Sequence, residues 1–445
     1  MNFRHFIVVN FTFYIFIIFI IFIMDPFLQL KEYLYQGHNV FLTGPGGVGK
    51  SYYINQLKKE CESLVVTSTT GVSSFNLGAQ TIHSFSGIGA LKKTDTLENV
   101  MKRVRKTKSM ERISQAKILV IDEISMLGQS YLEMLDKVFR KVRGKNAIFG
   151  GIQVIFTGDF LQLPPVDDEF CFHSEIWGAL EMKTIYLTKM YRVNDPLYTS
   201  ILERVRVGRH TPDDNRELYK RYFAYREMSE MMEREEKENE KKNDENKEND
   251  TEKIRPTFLY SKKVNVHEKN MEELQRNPNE MLIFQPQYVQ GKSEDDIKKT
   301  LTPLYLKVGA QVMLTVNMDC DNGLVNGSRG VIVAYENQAL MVKFLNGSVM
   351  SFPRHEHVCE EDGKVLYKII QFPFILAYAL SIHKVQGSTL DFAVIDIGHS
   401  VFESSMSYVA LSRVRNLEGL FLMAFQPHKI FCNKEALAFY DGLKK

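Results

Sequence analysis

Eight consecutive residues set the chemistry to look for. Gly44, Pro45, Gly46, Gly47, Val48, Gly49, Lys50 and Ser51 fit the spacing G-x-x-x-x-G-K-[ST], a loop suited to cradling phosphates. The glycines let backbone N–H groups turn inward around a polyphosphate. Asn39 to Thr43 reads as a buried strand leading in, and Ser51 to Glu60 as a helix leading out. That helix adds a partial positive charge at the same place. Lys50 then reaches the terminal phosphates, and Ser51 holds Mg²⁺. A glycine-rich turn matching by chance would lack the strand and helix on either side. These residues imply binding of a nucleoside triphosphate.

Two further loops carry groups that hydrolysis needs. The apolar stretch Lys117–Ile121 ends in Asp122-Glu123. Asp122 suits the metal shell, and Glu123 suits orienting or deprotonating an attacking water. Gln153–Thr157 runs into Gly158-Asp159-Phe160-Leu161-Gln162-Leu163-Pro164-Pro165, where Gln162 can bond a terminal phosphate and the prolines stiffen the loop. Alone, each loop reads equally well as an ordinary turn. Ser68 to Gly71 and Thr81 to Phe85 bring hydroxyls, a His and a Phe that suit a nucleic-acid strand, or else a capped turn beside a core Phe. Lys102 to Lys108 is basic, either a backbone contact or a solvated helix face. Arg413, expected exposed at a sheet edge, and Arg192 are candidates for a guanidinium that stabilises a transferring phosphoryl group; a surface ion pair is the alternative for each.

These groups need a scaffold. Ser63–Thr67 and Thr184–Leu187 complete a set of five strand candidates alternating with helical stretches. The alternation predicts a parallel sheet with helices on both faces and ligands at the strands' carboxyl ends. Pro256–Tyr260 and Phe392–Ile397 begin a second sheet. Between them, 304–373 is strand-rich, with Asn326-Gly327 and Asn346-Gly347 as hairpin turns, and reads as a small inserted β-barrel. The expected division is 25–190 for a first unit, 191–303 plus 374–445 for a second, and a charged, disordered or solvated insertion at 226–255.

The chain's 445 residues exceed one typical core. A net charge of +2 confines nucleic-acid binding to local patches. Five scattered cysteines (Cys61, Cys171, Cys320, Cys359, Cys432) with no C-x-x-C exclude a disulfide framework and a zinc ribbon, and point to an intracellular, reducing compartment. His355, His357 and Cys359 share a strand face, either as a metal site or as a solvated surface. From Phe6 to Met24 no charge occurs. That run is long enough for a membrane anchor. Met24-Asp25-Pro26 reads as a natural start, which favours a leader or reading-frame extension over an anchor.

Taken in order, the motifs are similar to the PIF (petite integration frequency) family of 5′-to-3′ DNA helicases of superfamily one, with RecD-like motors. The similarity runs from about Val40 to Phe425. It is carried by TSTTG (67–71), TIHSFSGIG (81–89), VIDEISM (120–126), FGGIQVIFTGDFLQLPPV (149–166), LTKMYR (187–192), LKVGAQVML (306–314), NGSRGVIV (326–333), SIHKVQGSTL (381–390) and YVALSRVRNLEGL (408–420). The resemblance implies an α/β fold of two RecA-like domains, a Src-homology-three-type barrel inserted in the second, and ATP with Mg²⁺ in the cleft. It implies phosphate and metal roles for Lys50, Ser51 and Asp122, water activation by Glu123, γ-phosphate coupling by Gln162, finger roles for Arg192 and Arg413, and a nucleotide contact at Gly387. Thr70, His83, Pro164, His383 and Lys384 fall in motifs lining the DNA track. The implied activity is ATP-driven translocation on single-stranded DNA and unwinding of tailed or structured duplexes, in replication, repair or recombination. A monomer with no obligate protein partner is expected. A DNA-stimulated ATPase that remodels without unwinding, and a membrane-tethered ATPase, are the other readings. The chain departs from the family in three places. Gly46 and Val48 replace Ala and Thr. Phe27 stands where a glutamine reads adenine, with Gln29 two residues off. Ser405-Met406 replaces Gly-Gln.

Overall fold

A computed structural model describes residues 25–241, 254–291, 303–316, 318, 327–361 and 364–443. The apolar leader at 1–24 lies outside them, as do the side chains of His357 and Cys359. Among the described residues no helix is long and apolar enough to cross a membrane.

The first sheet comprises β1 (Val40–Thr43), β2 (Leu64–Ser68), β3 (Gln80–Thr81), β4 (Ile118–Asp122), β5 (Gln153–Gly158) and β6 (Lys183–Tyr186), in the spatial order β3-β2-β4-β5-β1-β6. Every pairing is parallel. The inner strands β1, β2, β4 and β5 are largely apolar runs because both faces are covered, whereas the edge strands β3 (Gln80-Thr81) and β6 (Lys183-Thr184-Ile185-Tyr186) are polar. Alternate residues serve opposite cores. Phe41, Leu119, Ile121, Val154 and Phe156 pack on one side; Val40, Leu42, Val66, Val120 and Ile155 pack on the other. The register sets Thr43 beside Gly158 and Ser68 beside Asp122, so the loops after β1, β2, β4 and β5 leave the same edge.

The second unit carries β7 (Thr257–Tyr260). The chain then runs through β8 (Leu282–Phe284), β9 (Gln287–Gly291), β10 (Leu304–Leu306), β11 (Gln311–Leu314), β12 (Arg329–Glu336), β13 (Ala339–Phe344), β14 (Val349–Pro353), β15 (His355–Glu361), β16 (Lys364–Gln371) and β17 (Phe374–Leu376) before returning as β18 (Ala379–Ser381), β19 (Ala393–Ile397) and β20 (Leu420–Phe425). The parallel sheet β18-β7-β19-β20 is the second α/β layer. Its core includes Leu259, Ile395 and Leu422, with Tyr198, Ile201 and Leu202 of the Pro196–Arg206 helix against them. The inserted sheet β14-β13-β12-β11-β17 has its own core of Val312, Ile332, Val342 and Phe352. Gly347 (φ 83°) turns the β13–β14 hairpin, as the Asn-Gly pair predicts.

Three boundaries differ from the sequence reading. Strands β8, β9 and β17 pair with β10, β16 and β11, so the insert begins before residue 304 and ends after 373. Three-residue strands such as β8 and β17 are too short to show a period. The charged run was expected to be disordered or solvated, yet a helix spans Pro212–Lys241. The first half of that helix is anchored by Leu218, buried in the second unit's core, and by Tyr219 against Phe425 (4.8 Å between rings); the charged run continues it, with Arg234–Glu230 (3.8 Å) paired one turn apart. Residues 242–253 lie outside the described part. Finally, the Lys434–Leu443 helix, placed with the second unit by sequence order, buries Ala436 and Tyr440 in the first unit's core.

Candidate nucleotide-hydrolysis site

The phosphate loop leaves β1 and enters the Lys50–Glu60 helix as its motif predicts. Two glycines are sterically required. A Cβ on Gly44 (φ 142°) would meet the Leu187 carbonyl oxygen at 2.3 Å, and one on Gly47 (φ 92°) would meet Arg192 Cβ at 2.7 Å. The Gly47 carbonyl accepts the backbone N–H groups of Tyr191 and Arg192, which ties the connecting segment to the loop. Lys50 Nζ donates to the carbonyls of Gly44 (2.7 Å) and Pro45 (2.9 Å). Burial lowers its pKa, opposed by the charges of Asp159, Glu123 and Asp122.

One cavity of about 370 Å³ is lined by Gly46, Gly47, Gly49, Lys50, Ser51, Asp122, Glu123 and Gln162 from the first unit, together with Gly387 and Arg413 from the second and Arg192 from the segment between. Asp122 ends β4 and accepts a 2.6 Å bond from Ser73 Oγ. Burial, reinforced by Glu123, pushes its pKa up to about 7. Glu123 sits in the left-handed region (φ 54°, ψ 46°). A non-glycine residue held there costs about 1–3 kcal/mol and marks a constrained position. That backbone aims its carboxylate at Gln386 Nε2 (3.0 Å) of the second unit. Ser51 and Asp122 offer a hydroxyl and a carboxylate in the same cavity, a hard-oxygen donor set suited to Mg²⁺.

Arg413 was expected to be exposed; it is 1% exposed. It donates through Nε to the Val409 carbonyl (2.7 Å), through Nη1 to Val385 and Ser388 carbonyls (3.4 and 3.3 Å) and through Nη2 to Ser412 Oγ (2.6 Å). Nη2 lies 3.1 Å from where a Gly46 Cβ would stand, so the fork faces the phosphate loop. Arg192 donates to Thr389 Oγ1 and to the Ser412 carbonyl, both at 3.0 Å. Burial, with Arg413 beside it, pushes its pKa down to about 9. Such a guanidinium gains from an anionic neighbour.

Gly44, Pro45 and Val48 do not line the cavity. Val48 packs in the core, so only its backbone can serve a phosphate. The DNA-track candidates follow strand carboxyl ends on both sheets without meeting in one pocket. Thr70 Oγ1 accepts Ser73 N–H after β2. His83 lies 4.6 Å from the Tyr131 ring. Pro164 is half-buried beyond β5; half-buried His383 and exposed Lys384 follow β18. Arg103 of the basic cluster is held by Asp95 (2.8 Å). Sequence reasoning missed Gln386, the Tyr408 hydroxyl that accepts Gly46 N–H (3.0 Å), and Tyr52, Tyr191, Thr389 and Arg415 on the cavity wall. Gln386, Thr389, Tyr408, Arg415 and Tyr191 fall inside the quoted motifs without having been given roles; Tyr52 had no such signal.

Comparison with known proteins agrees with this geometry. The family described as PIF1-like helicase matches residues 30–206, and the 2B domain of DNA helicase Pif1 matches 301–335. The chain is 36% identical over 424 residues to the ATP-dependent DNA helicase PIF1 of Danio rerio, covering 92% of this chain but 62% of that one. With the ATP-dependent DNA helicase Pif1 of Bdellovibrio bacteriovorus identity is 30% over 422 residues, covering 92% and 89%. The crystal structure of Pif1 helicase from Candida albicans superposes with a TM-score of 0.77 at 29% identity, over 94% of this chain and 99% of that one. Pif1 from Bacteroides in complex with ADP-AlF3 and single-stranded DNA gives 0.66 at 26%, over 94% and 96%. The α/β units are thus RecA-like. The chain spans less than two thirds of the length of the vertebrate relatives it matches. A cleft assembled from both sheets around one phosphate loop, and identity sustained across nearly all of the bacterial relative, lead to one conclusion: this chain belongs to the PIF1-like helicase family.

Proposed function

We propose that this protein is an ATP-dependent 5′-to-3′ DNA helicase that translocates on single-stranded DNA and unwinds tailed or structured duplexes, serving replication, repair or recombination. One observation carries the reading: the cavity takes its phosphate loop and acids from one RecA-like unit and Arg413 and Gly387 from the other, whose buried Gln386 bonds Glu123. A triphosphate bound between them has differential contacts with open and closed clefts, which is what shifts such an equilibrium. Ser51 and Asp122 would hold Mg²⁺, which supplies charge neutralisation at the phosphates. Glu123, fixed by its backbone and Gln386, orients the water; Gln162 faces the terminal phosphate; Arg192 and Arg413 meet the charge that develops there. The inserted sheet around Val312 and Phe352 is proposed to be a Src-homology-three-type barrel; support comes from its five antiparallel strands sharing one core, in which Phe352 of β14 meets Phe374 of β17 (4.9 Å between rings). Thr70, His83, Pro164, His383 and Lys384 are proposed to line the strand's path. The likeness to the Bacteroides protein solved with ADP-AlF3 and single-stranded DNA supports the pairing of ligands. A monomer is proposed as the working form.

The test is an unwinding assay on duplexes with a 5′ or a 3′ tail, run beside DNA-stimulated ATPase. Strand separation confined to 3′ tails would refute the polarity, and stimulated turnover without separation would leave a remodeller. Lys50→Ala should abolish turnover; retained hydrolysis removes the loop from its role.

A further inference from the structure

Outside the cavity, a second cluster of buried polar groups joins the two units. Asp159 is fully buried directly after β5. Its carboxylate accepts Arg206 Nε (2.9 Å) and Nη2 (2.7 Å), the Leu161 N–H (3.1 Å) and the Tyr440 hydroxyl (3.2 Å). Arg206 ends the Pro196–Arg206 helix, whose Tyr198, Ile201, Leu202 and Val205 belong to the second unit's core. Tyr440 comes from the Lys434–Leu443 helix, which crosses back to the first unit. The Tyr440 hydroxyl accepts the Phe160 N–H (3.1 Å) and lies 2.6 Å from Thr43 Oγ1. Thr43 gives its own proton to the Gly158 carbonyl (2.8 Å), so the single Tyr440 proton serves Thr43 and Asp159. The Arg206 guanidinium stacks 5.1 Å from the Tyr440 ring and donates to Tyr186.

The neighbours of this cluster are the working parts of the site. Thr43 precedes Gly44, the first residue of the phosphate loop. The Asp159 carbonyl accepts the Gln162 N–H (2.9 Å), so Asp159 starts the turn that carries Gln162. Arg206 is the only one of the three side chains whose helix packs in the second unit. A buried ion pair with a bidentate fork tolerates little displacement, because breaking it leaves a charge uncompensated. The units are therefore held here by a buried bidentate ion pair, whereas at the phosphate loop they share the neutral bond from Gly46 N–H to the Tyr408 hydroxyl (3.0 Å), and Arg413 donates only within its own unit.

We propose that Asp159, Arg206 and Tyr440 form the pivot of the cleft, and that they act as positioning residues that couple the Gln162 turn and the phosphate loop to movement of the second unit. The inference rests on the nucleotide half of the proposed function and not on DNA. A signal at the γ-phosphate displaces the Gln162 turn, the turn pulls on Asp159, and the ion pair passes that motion to the helix ending at Arg206. Tyr440 keeps β1 and the turn in one register so that neither moves alone.

Tyr440→Phe isolates the hydroxyl, since the ring keeps its stacking and its place in the core. Closure is read by energy transfer between dyes at exposed Lys59 and Glu418, titrated with ADP, aluminium fluoride and Mg²⁺. Binding is read separately with a fluorescent ADP. The variant should need about fivefold or more nucleotide to reach half-closure, a coupling loss of ordinary size, while its ADP affinity stays within about twofold. Arg206→Lys, which keeps the charge but not the fork, should shift closure in the same direction. An unchanged closure midpoint in Tyr440→Phe overturns the proposal, as does a loss of binding and closure by one common factor, which a merely structural role produces. Failure of the unaltered protein to bind ADP would remove the nucleotide reading and this inference with it; binding without closure would remove this inference alone.

Discussion

Replacing Arg413 tests the cleft most sharply. Its guanidinium faces the phosphate loop but bonds only to its own unit, through the carbonyls of Val409, Val385 and Ser388 and the Ser412 hydroxyl. At an effective dielectric near 20, a unit charge about 4 Å from a developing charge contributes about 4 kcal/mol. At about 1.4 kcal/mol per decade, Arg413→Ala should lower kcat by about 10³-fold, at the bottom of the range for arginine fingers. Arg413→Lys keeps a charge but satisfies fewer of the four acceptors, so a loss of about 10- to 100-fold is expected. Either change strands buried carbonyls, at about 1–3 kcal/mol of stability. The two effects separate by assay: thermal melting reports the carbonyls, and steady-state ATPase with and without single-stranded DNA reports the charge. KM should move by less than about threefold, because the interaction strengthens in the transition state. A kcat within about fivefold of the unaltered protein for Arg413→Ala would refute this reasoning, as would a large rise in KM at constant kcat.

Base discrimination should be weak. Gln29 is committed to Tyr33 (3.1 Å), Phe27 stacks on Tyr53 (6.0 Å between rings), and the exposed wall of the cavity offers Tyr52 and Tyr191, whose stacking tolerates any base. GTP and CTP should therefore support turnover with KM within about threefold of ATP, and a preference above about tenfold would contradict it. A pH effect on stability follows from His83, which burial against Tyr131 holds below its ordinary pKa of 6.5. Below pH 6.5 the unfolded chain takes up a proton that the folded site resists, so stability falls as pH drops through that value. Asp122, whose pKa is raised to about 7, takes up a proton in the folded state over the same range and opposes this, so the effect is read as a difference. From about pH 7.5 to about 5.5 the melting temperature of His83→Asn should fall less, or rise more, than that of the unaltered protein, and equal slopes would exclude His83 as a contributor.

The phosphate loop was legible because strand, turn and helix are contiguous and every critical group lies within eight residues. The first sheet was legible for a related reason: with both faces covered, β1, β4 and β5 are unbroken apolar runs that need no knowledge of their partners. What was hidden depends on contacts between distant positions. Gln386 meets Glu123 from 263 residues away and Tyr408 meets Gly46 from 362, and neither side chain is unusual in its own segment. The burial of Arg413 was misjudged because an arginine's usual place is the surface, and only the carbonyls of a neighbouring turn make a buried one affordable. The last helix was misplaced because sequence order assigned it to the unit it follows. Its apolar face in fact completes the aromatic cluster of Phe41, Phe160, Phe172 and Trp177 through Phe439.

The two arginines differ in how they are held, and that separates their roles. Arg192 is stitched to both sides. Its backbone N–H bonds the Gly47 carbonyl (3.2 Å), while its guanidinium bonds Thr389 and Ser412 of the second unit. It sits on the connecting segment, with its backbone tied to the phosphate loop and its guanidinium tied to the second unit. Arg413 has every bond to the second unit and therefore travels with it. If the proposed pivot at Asp159 and Arg206 holds, rotation about it would change the distance from Arg413 to the loop more than that from the backbone of Arg192. Under the proposed function Arg192 would be a standing counter-charge for bound phosphate, and Arg413 the charge whose approach depends on closure. On the same reading, hydrolysis would be tied to the geometry of the whole cleft rather than to occupancy of the loop, and that dependence would let one bound nucleotide be exchanged for one step of motion.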